Sequence, residues 1–431
     1  MNRIAAALAL VSVALPFPVS AETLRDAIAA AYASNPVLAE ARARQNALAE
    51  ALEQERAAGR LTAETIASGG YSRFGYGKGA DAAVSASLPL WTGGRIRSAV
   101  RAAKGDVAAG AQGVRDTEAY VLEQVVATYA DLLYAQQAVA VTQADIELLD
   151  RQVAEAQARF RLGQSTSTDV AQLRAQRDSA VATLADAQRS LASVTADYRA
   201  LVGHDPQALE ARVVPPAGLP ATLDEARLVA TDNNPLVAQQ RQIAAADAAR
   251  IDRERAERAP SVSLGGDYGY GVSLGSGSRT YENAAVAGVT LRVPLLTGGL
   301  VASRVRQAKA TYRADGFAIA AAIREATRAA DAAWAALVAA KAQETANDQR
   351  AAAAQLALDG VRAEYAYDLR STLDILVADE SLRSAQLALA RSRSDLLIAQ
   401  ANLLRAIGRL DSASYANGPP TGQSIGPTVE G

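Results

Sequence analysis

The sequence predicts a mainly α-helical protein with a smaller β-strand portion, built from two copies of one unit. Long segments repeat along the chain, and apolar residues recur at coiled-coil spacing between short alternating stretches. The Asn-Pro pair at 35–36 returns at 234–235, an offset of 199 residues. Pro-Leu-Trp-Thr-Gly-Gly at 89–94 returns as Pro-Leu-Leu-Thr-Gly-Gly at 294–299, an offset of 205. The chain is therefore a tandem duplication, and we expect each functional feature twice.

The repeat also sets the predicted boundaries. Residues 22–203 form the first unit and 222–410 the second, joined by a linker at 204–221. Residues 1–21 combine a basic residue, an apolar run and a small-x-small ending, the pattern of a secretory signal peptide. Residues 411–431 contain adjacent prolines and several glycines, which predict a disordered tail.

Composition excludes several classes of function. The 431 residues carry a formal net charge of −2, so no basic footprint for nucleic acid is expected. There is no cysteine, and His204, the only histidine, lies in a turn without a nucleophile motif nearby. The many carboxylates are assigned to solvent-facing sides of helices. We therefore expect no enzyme, no cofactor, no metal site and no nucleic-acid partner.

Apolar residues at heptad spacing predict long helices in each unit. The helix at about 94–162 has about 70 residues and a length of roughly 100 Å. Flanking helices at about 24–59 and 168–202 are half as long, so two of them stacked end to end match the long one. The second copy repeats this ratio at about 222–258, 298–367 and 371–408.

Between the first half-helix and the long helix, each unit has a predicted β-hairpin, at about 62–91 and 260–295. Val289 and Leu291 alternate with Thr290 and Arg292, as in a strand with one apolar face. Strands of about ten residues with this alternation are typical of lipid-facing barrel strands. The alternative is a half-buried sheet that packs on the helices.

Each hairpin leads into its long helix through a short turn. Proline cannot donate a hydrogen bond to a strand ladder, so we expect strand pairing to end there. The paired glycines that follow allow a sharp change of direction. The predicted strand-to-helix turns contain Pro89, Gly93, Gly94, Pro294, Gly298 and Gly299.

Four strands in one chain are too few to close a barrel, since the smallest known barrels have about eight. Insertion of these hairpins in a membrane therefore requires an oligomer. Three chains, with twelve strands, are the simplest closed arrangement.

Four motifs in sequence order resemble those of the TolC family of outer-membrane channel proteins, over about 23–409. They are the Thr-Leu to Asn-Pro opening, the Pro-Leu-x-Thr-Gly-Gly turn, Arg159–Gly163 followed by Ser167–Val170, and the ending Leu403–Leu410. The resemblance implies a homotrimer in the outer membrane. A twelve-stranded β-barrel in outer-membrane lipid would continue into a long periplasmic α-helical coiled-coil barrel, closed at its far end.

The resemblance also implies partners and a function. Family members dock to a periplasmic adaptor, or membrane fusion protein, and to an inner-membrane transporter. The sequence is most similar to the subgroup that serves type I protein secretion, through residues 168–172 and the final Ala-Ile-Gly-Arg-Leu. That subgroup implies an ABC-type transporter. The alternatives are the outer-membrane component of a multidrug efflux pump and a soluble periplasmic coiled-coil protein of structural or adaptor type.

Alignment with the family places a periplasmic gate at the turns that join the long helices to the half-helices. Asp169 and Asp374 follow these turns, with Tyr365 and Arg370 beside the second. Three copies would form carboxylate rings that favour cations. Tyr365 and Arg370 would bind the neighbouring hairpin near Asp169. The alternative interpretation is that both aspartates only cap their helices.

Overall fold

The computed structural model describes residues 21–72, 77–211, 213–275, 278–367 and 369–415. The predicted signal peptide, apart from its last residue, and residues 416–431 of the predicted tail lie outside this range. The first unit contains α1 (Leu24–Ser34), α2 (Pro36–Ala57), β1 (Thr62–Ser72), β2 (Gly77–Trp91), α3 (Arg95–Arg161) and α4 (Ser167–Val202). The second contains α5 (Leu223–Asn233), α6 (Pro235–Ala256), β3 (Ser261–Gly275), β4 (Ser278–Arg292), α7 (Leu300–Tyr365) and α8 (Thr372–Ala406).

The long helices α3 and α7 dominate the molecule, with 67 and 66 residues. At 1.5 Å per residue each is about 100 Å long, so the strands at one end lie far from the helix turns at the other. Both helices have heptad seams of small apolar residues, and mixed charge on the remaining faces. None of the helices within the described residues has the length and hydrophobicity to span a bilayer.

Glycines at the strand-to-helix turns adopt a backbone conformation that other residues avoid. Gly94 and Gly299 precede α3 and α7 with φ of 90° and 82°. Gly93 also has positive φ, and a Cβ there would overlap Ala259. The expectation for Pro89 needs correction, because β2 continues to Trp91 against β3. The strand accommodates the missing N–H through an irregular register after Pro89. Pro294, in contrast, follows the end of β4.

The single half-helix expected at 24–59 is wrong, because Asn35 and Pro36 divide it into α1 and α2. The Asn35 side chain accepts a hydrogen bond from the Val37 N–H at 2.9 Å and thereby caps α2. Its amide donates to the Leu201 carbonyl at the end of α4, 3.1 Å away. In the second unit Asn234 makes the same contacts. The repeated Asn-Pro motif therefore fixes the junction at which two shorter helices meet beside the long one.

The strands of both units form one antiparallel sheet in the order β1-β2-β3-β4. Pairing of β2 with β3 joins the two hairpins, and β1 and β4 are the open edges. Strands of 15 residues exceed the expected ten. The sheet does not pack on the helices in the described part of the chain, and Val289 and Leu291 are 65% and 63% exposed. The alternative of a half-buried sheet is therefore wrong.

The main core lies around the helix junctions, midway along α3. Tyr129, fully buried on α3, donates to the backbone carbonyls of Glu22 and Glu210, both at 3.0 Å. Tyr198 on α4 donates to the Glu22 carboxylate at 2.6 Å. The start of the described chain and the linker are thus tied to the same layer of the helical bundle.

A candidate gate at the helix turns

The predicted gate residues lie at the end of the bundle opposite the sheet. The α3–α4 and α7–α8 turns are neighbours there, and residues of both line one groove of about 110 Å³. Asp169 and Tyr365 face this groove, together with Arg159 and Thr372. A small apolar cluster of Ala156, Val170, Leu173, Val153 and Leu376 supports it from behind. The fold thus brings residues separated by about 200 positions in sequence to one site.

Both aspartates cap their helices, as the alternative interpretation expected. Asp169 accepts a hydrogen bond from the Thr166 N–H at 2.9 Å, and Asp374 accepts one from the Ser371 N–H at 2.8 Å. These backbone donors, with the hydroxyls beside them, hold the pKa of each carboxyl below its usual value. Both groups are solvent-accessible and remain negatively charged at neutral pH. Capping and a charged ring are therefore compatible roles for the same side chains.

Tyr365 ties the second helical hairpin to the first within one chain. The Arg159 guanidinium donates to the Tyr365 hydroxyl at 2.9 Å and lies over its ring, 5.3 Å from the centroid. Arg159 also pairs with Glu155 at 2.7 Å. This bond lies in the region of Asp169, and the direct partner of Tyr365 is Arg159 in the last turn of α3. Arg159 belongs to the Arg159–Gly163 motif, whose sequence alone gives this side chain no role.

Arg370 makes its contact inside its own hairpin. Its Nε donates to Glu364 at 2.7 Å, across the α7–α8 turn. Glu364 and nearby Asp374 raise the pKa of the guanidinium. Within the described part of one chain, therefore, the contact of Arg370 stays inside its own hairpin. This differs from the expectation, because the closer carboxylate of Glu364 already satisfies it.

A buried charge cluster lies further along the bundle, between α3 and α8. Arg383 donates to Asp145 at 2.7 Å, and both side chains are largely buried. Burial and the adjacent Asp145 raise the pKa of Asp379 to about 6, against the opposing effect of Arg362. The expectation that such carboxylates lie on solvent faces is wrong here, because these faces of α3 and α8 pack against each other. No group of acidic or histidine side chains in the described ranges could hold a metal ion.

Comparisons with known proteins place this architecture in a family. The family model described as outer membrane efflux protein matches residues 27–204 and 229–409, one match in each unit. Outer membrane efflux protein BepC of Brucella suis is 32% identical over 330 residues, which span 74% of this chain and 70% of that protein. Outer membrane protein TolC of Vibrio cholerae is 28% identical over 68% of this chain and 69% of that protein.

Two further matches bear on function and fold. Alkaline protease secretion protein AprF of Pseudomonas aeruginosa is 27% identical over 68% of this chain and 62% of that protein. The crystal structure of outer membrane protein VceC from Vibrio cholerae superposes with a TM-score of 0.72, covering 89% of this chain and 96% of that one. At 23% identity, this superposition concerns the fold alone.

The resemblance to the TolC family, the mainly helical fold class and the outer-membrane location are confirmed by these matches. A soluble periplasmic coiled-coil protein, one of the expected alternatives, is therefore wrong. The chain belongs to the outer membrane efflux protein family.

Proposed function

We propose that three copies of this chain form the exit duct of a tripartite export system. The observation that carries the proposal is the arrangement along the long axis. A sheet with apolar side chains exposed and both edges open lies at one end, about 100 Å from the groove at the helix turns. Open edges in lipid leave backbone groups without partners, so β4 of one copy pairs with β1 of the next. The duct is passive and has no catalytic step.

The helix turns act as the closed end of this duct. The Arg159–Tyr365 bond holds the two hairpins of a chain together, and Arg370 is free to exchange Glu364 for a carboxylate of the neighbouring copy. Asp169 and Asp374, three of each, form anionic rings around the pore and favour cations. Docking of a periplasmic adaptor and an inner-membrane transporter opens the turns.

Type I protein secretion is the proposed use of the duct, with an ABC-type transporter as partner. The relative AprF, named as a protease secretion protein, supports this proposal, as does the sequence at 168–172. Efflux of small molecules is the second candidate, and the relative BepC, named as an efflux protein, favours it.

A deletion strain distinguishes these two functions. Proteins in the culture medium are compared between parent and deletion strain, and susceptibility to a panel of drugs and detergents is measured in parallel. Loss of one or a few secreted proteins with unchanged susceptibility is expected. Increased susceptibility with an unchanged set of secreted proteins would contradict secretion and support efflux. Complementation with the Leu291→Arg variant, which we expect to be defective in assembly, controls for effects of the deletion itself.

A further inference from the structure

Because the chain contains two similar units, the contact between its first and second units is a template for the contact between two copies of the chain. Within the chain, α3 packs against α8, and ion pairs between them extend from Glu123 to Asp145 on α3. The offset of 205 residues makes α7 the counterpart of α3, and α4 the counterpart of α8. The corresponding faces of α7 and α4 are exposed in the single chain. A second copy, placed as the second unit is placed against the first, would bring these two faces together.

The contact within the chain has a fixed polarity. Its ion pairs join an acid on α3 to an arginine on α8, at Asp145–Arg383 (2.7 Å), Asp131–Arg391 (2.9 Å) and Glu123–Arg405. Asp145 and Arg383 are 8% and 15% exposed, so this pair lies inside the interface. Charged pairs of this kind specify register and partner more than they add affinity.

The counterpart positions carry the opposite charges. Asp145 corresponds to Arg350, and Arg383 corresponds to Asp178. Glu123 corresponds to Arg328, and Arg391 corresponds to Asp186, while the remaining two counterparts are alanines. Wherever a charge is retained, α7 is therefore basic where α3 is acidic, and α4 is acidic where α8 is basic.

These counterpart residues are available for a partner. Among the described residues, the hydrogen bond of Arg350 goes to the Ser384 hydroxyl at 3.1 Å. Asp178 contacts the adjacent Arg177, and 73% of the Asp178 side chain is exposed. Arg328 and Asp186 pair with residues three positions away on their own helices and are 68% and 81% exposed. Exposed pairs within one helix contribute little stability, so a better-buried partner can replace them.

We propose that α7 of one copy binds α4 of a second copy through Arg350–Asp178, in a contact of reversed polarity to the one within the chain. This inference rests on the proposed trimer. Acidic α3 then matches only basic α8, and basic α7 matches only acidic α4. An α3–α4 contact between copies would oppose acid to acid, and an α7–α8 contact would oppose arginine to arginine. The charges thus force the two kinds of hairpin to alternate around the ring.

Charge reversal tests the pairing. Arg350→Glu and Asp178→Arg should each lower the fraction of trimer in detergent, by about tenfold, because each places like charges at three contacts. The double variant should restore trimer to within about twofold of the parent. Lys341→Glu on the same helix is the matched control, since Lys341 and its counterpart Gln136 are both exposed and Gln136 is not part of the three ion pairs between α3 and α8. It should leave the trimer unchanged.

A second measurement covers variants that fail to fold. Gly105 on α3 lies so close to Ala246 on α6 that a Cβ added to it would be 2.8 Å from the Ala246 Cβ. The counterparts are Ala310, by the offset of 205, and Ala47, by the offset of 199, and both are exposed. In this cysteine-free chain, Ala47→Cys with Ala310→Cys should form a disulfide between copies, whereas Ala47→Cys alone should not.

The outcomes separate two failures. If the parent is not a trimer, the proposed assembly fails and this inference with it. If the parent is a trimer but the double charge variant assembles no better than the single variants, the Arg350–Asp178 pairing alone is overturned. If the protein is a trimer but the Ala47→Cys, Ala310→Cys variant forms no disulfide between copies, the second copy is not placed as the contact within the chain predicts.

Discussion

The two long helices have nearly the same length, and in the sequence each follows a β-hairpin and precedes a shorter helix. Their environments in the fold nevertheless differ. Seventeen residues of α3 are buried, against eight of α7. On α7, Phe317 and Leu356 remain 78% and 75% exposed. The difference arises because α3 is flanked on both sides within the chain, by α2 and α4 and by α6 and α8. The exposed face of α7 is therefore the one that a second copy covers in the proposed trimer.

We expect the strongest loss of trimer from a substitution in the sheet, which, like α7, exposes apolar side chains in the single chain. Leu291→Arg should reduce the yield of folded trimer, while Thr290→Arg, on the opposite face of the same strand, should be tolerated. An arginine at mid-bilayer on the lipid side costs about 2 to 4 kcal/mol, and three copies share this cost. The yield is measured after detergent extraction of outer membranes. Equal yields from both variants would show that the faces are assigned wrongly.

The gate gives the second effect. The double variant Tyr365→Phe, Arg370→Ser removes the hydroxyl bound by Arg159 and the guanidinium beside Glu364. Each copy loses both contacts, and three symmetric copies act together on the closed state. The conductance of single channels in a planar bilayer should rise several-fold. Parental conductance in properly folded trimers would mean that these residues are ordinary polar groups at helix ends.

Measurements of ion selectivity distinguish two roles of Asp374, as a charge in the pore and as a cap of α8. Asp374→Ala should chiefly reduce the cation preference of the channel, because it removes three carboxylates from the pore. Asp374→Asn is the matched control for capping, since its side chain still accepts the bond from the Ser371 N–H without a charge. Similar loss of selectivity in both variants is expected. An unchanged reversal potential in both would leave Asp374 with capping alone.

The glycines of α3 and α7 differ in how closely neighbouring side chains approach them. Gly105→Ala on α3 should destabilise the protein by about 1 to 3 kcal/mol, because its Cβ meets Ala246. Gly360→Ala on α7 meets nothing within 4 Å and should stabilise that helix by up to about 1 kcal/mol. Thermal unfolding of the detergent-solubilised protein measures both changes. Similar midpoints for the two variants would argue against the closer packing of α3.

The smallest effect is a pH dependence of the α3–α8 contact. The pKa of Asp379 is raised to about 6, so the folded protein binds this proton more tightly than the unfolded chain. Stability should therefore rise as pH falls from about 6 toward 4, by up to about 1 kcal/mol per pH unit, and be lost as pH rises through 6. Asp379→Asn should abolish this dependence, as measured by unfolding midpoints at pH 5 and 7.5. A parental pH profile in this variant would assign the effect to another group.

Sequence patterns predicted the periodic parts of this fold better than its contacts. Heptads and alternation indicated the long helices and the hairpins because a helix or strand must bury one regular face. The Asn35–Pro36 break was missed because half-helices on both sides keep the same apolar spacing across the junction. The end of strand pairing at Pro89 was predicted wrongly. The pairing of β2 with β1 ends at Ser87, whereas its pairing with β3 continues to Trp91.

The candidate site was predictable in place but not in its bonds. Family motifs located Asp169, Tyr365, Arg370 and Asp374 at the turns. The Arg159–Tyr365 bond joins residues 206 positions apart, and nothing local in the sequence specifies it. Asp145, Asp379 and Arg383 have ordinary helical spacing and become a buried cluster only because α3 and α8 meet. Such contacts depend on the relative placement of helices, which periodicity alone does not determine.

The mass of the detergent-extracted protein from the outer-membrane fraction shows directly whether three chains assemble in the outer membrane. The exposed face of α7 and the open edges of β1 and β4 require further copies, and three chains complete twelve strands. We expect a particle of three subunits that is recovered with outer-membrane markers. A particle of one or two subunits, or recovery in the soluble periplasmic fraction, would contradict it.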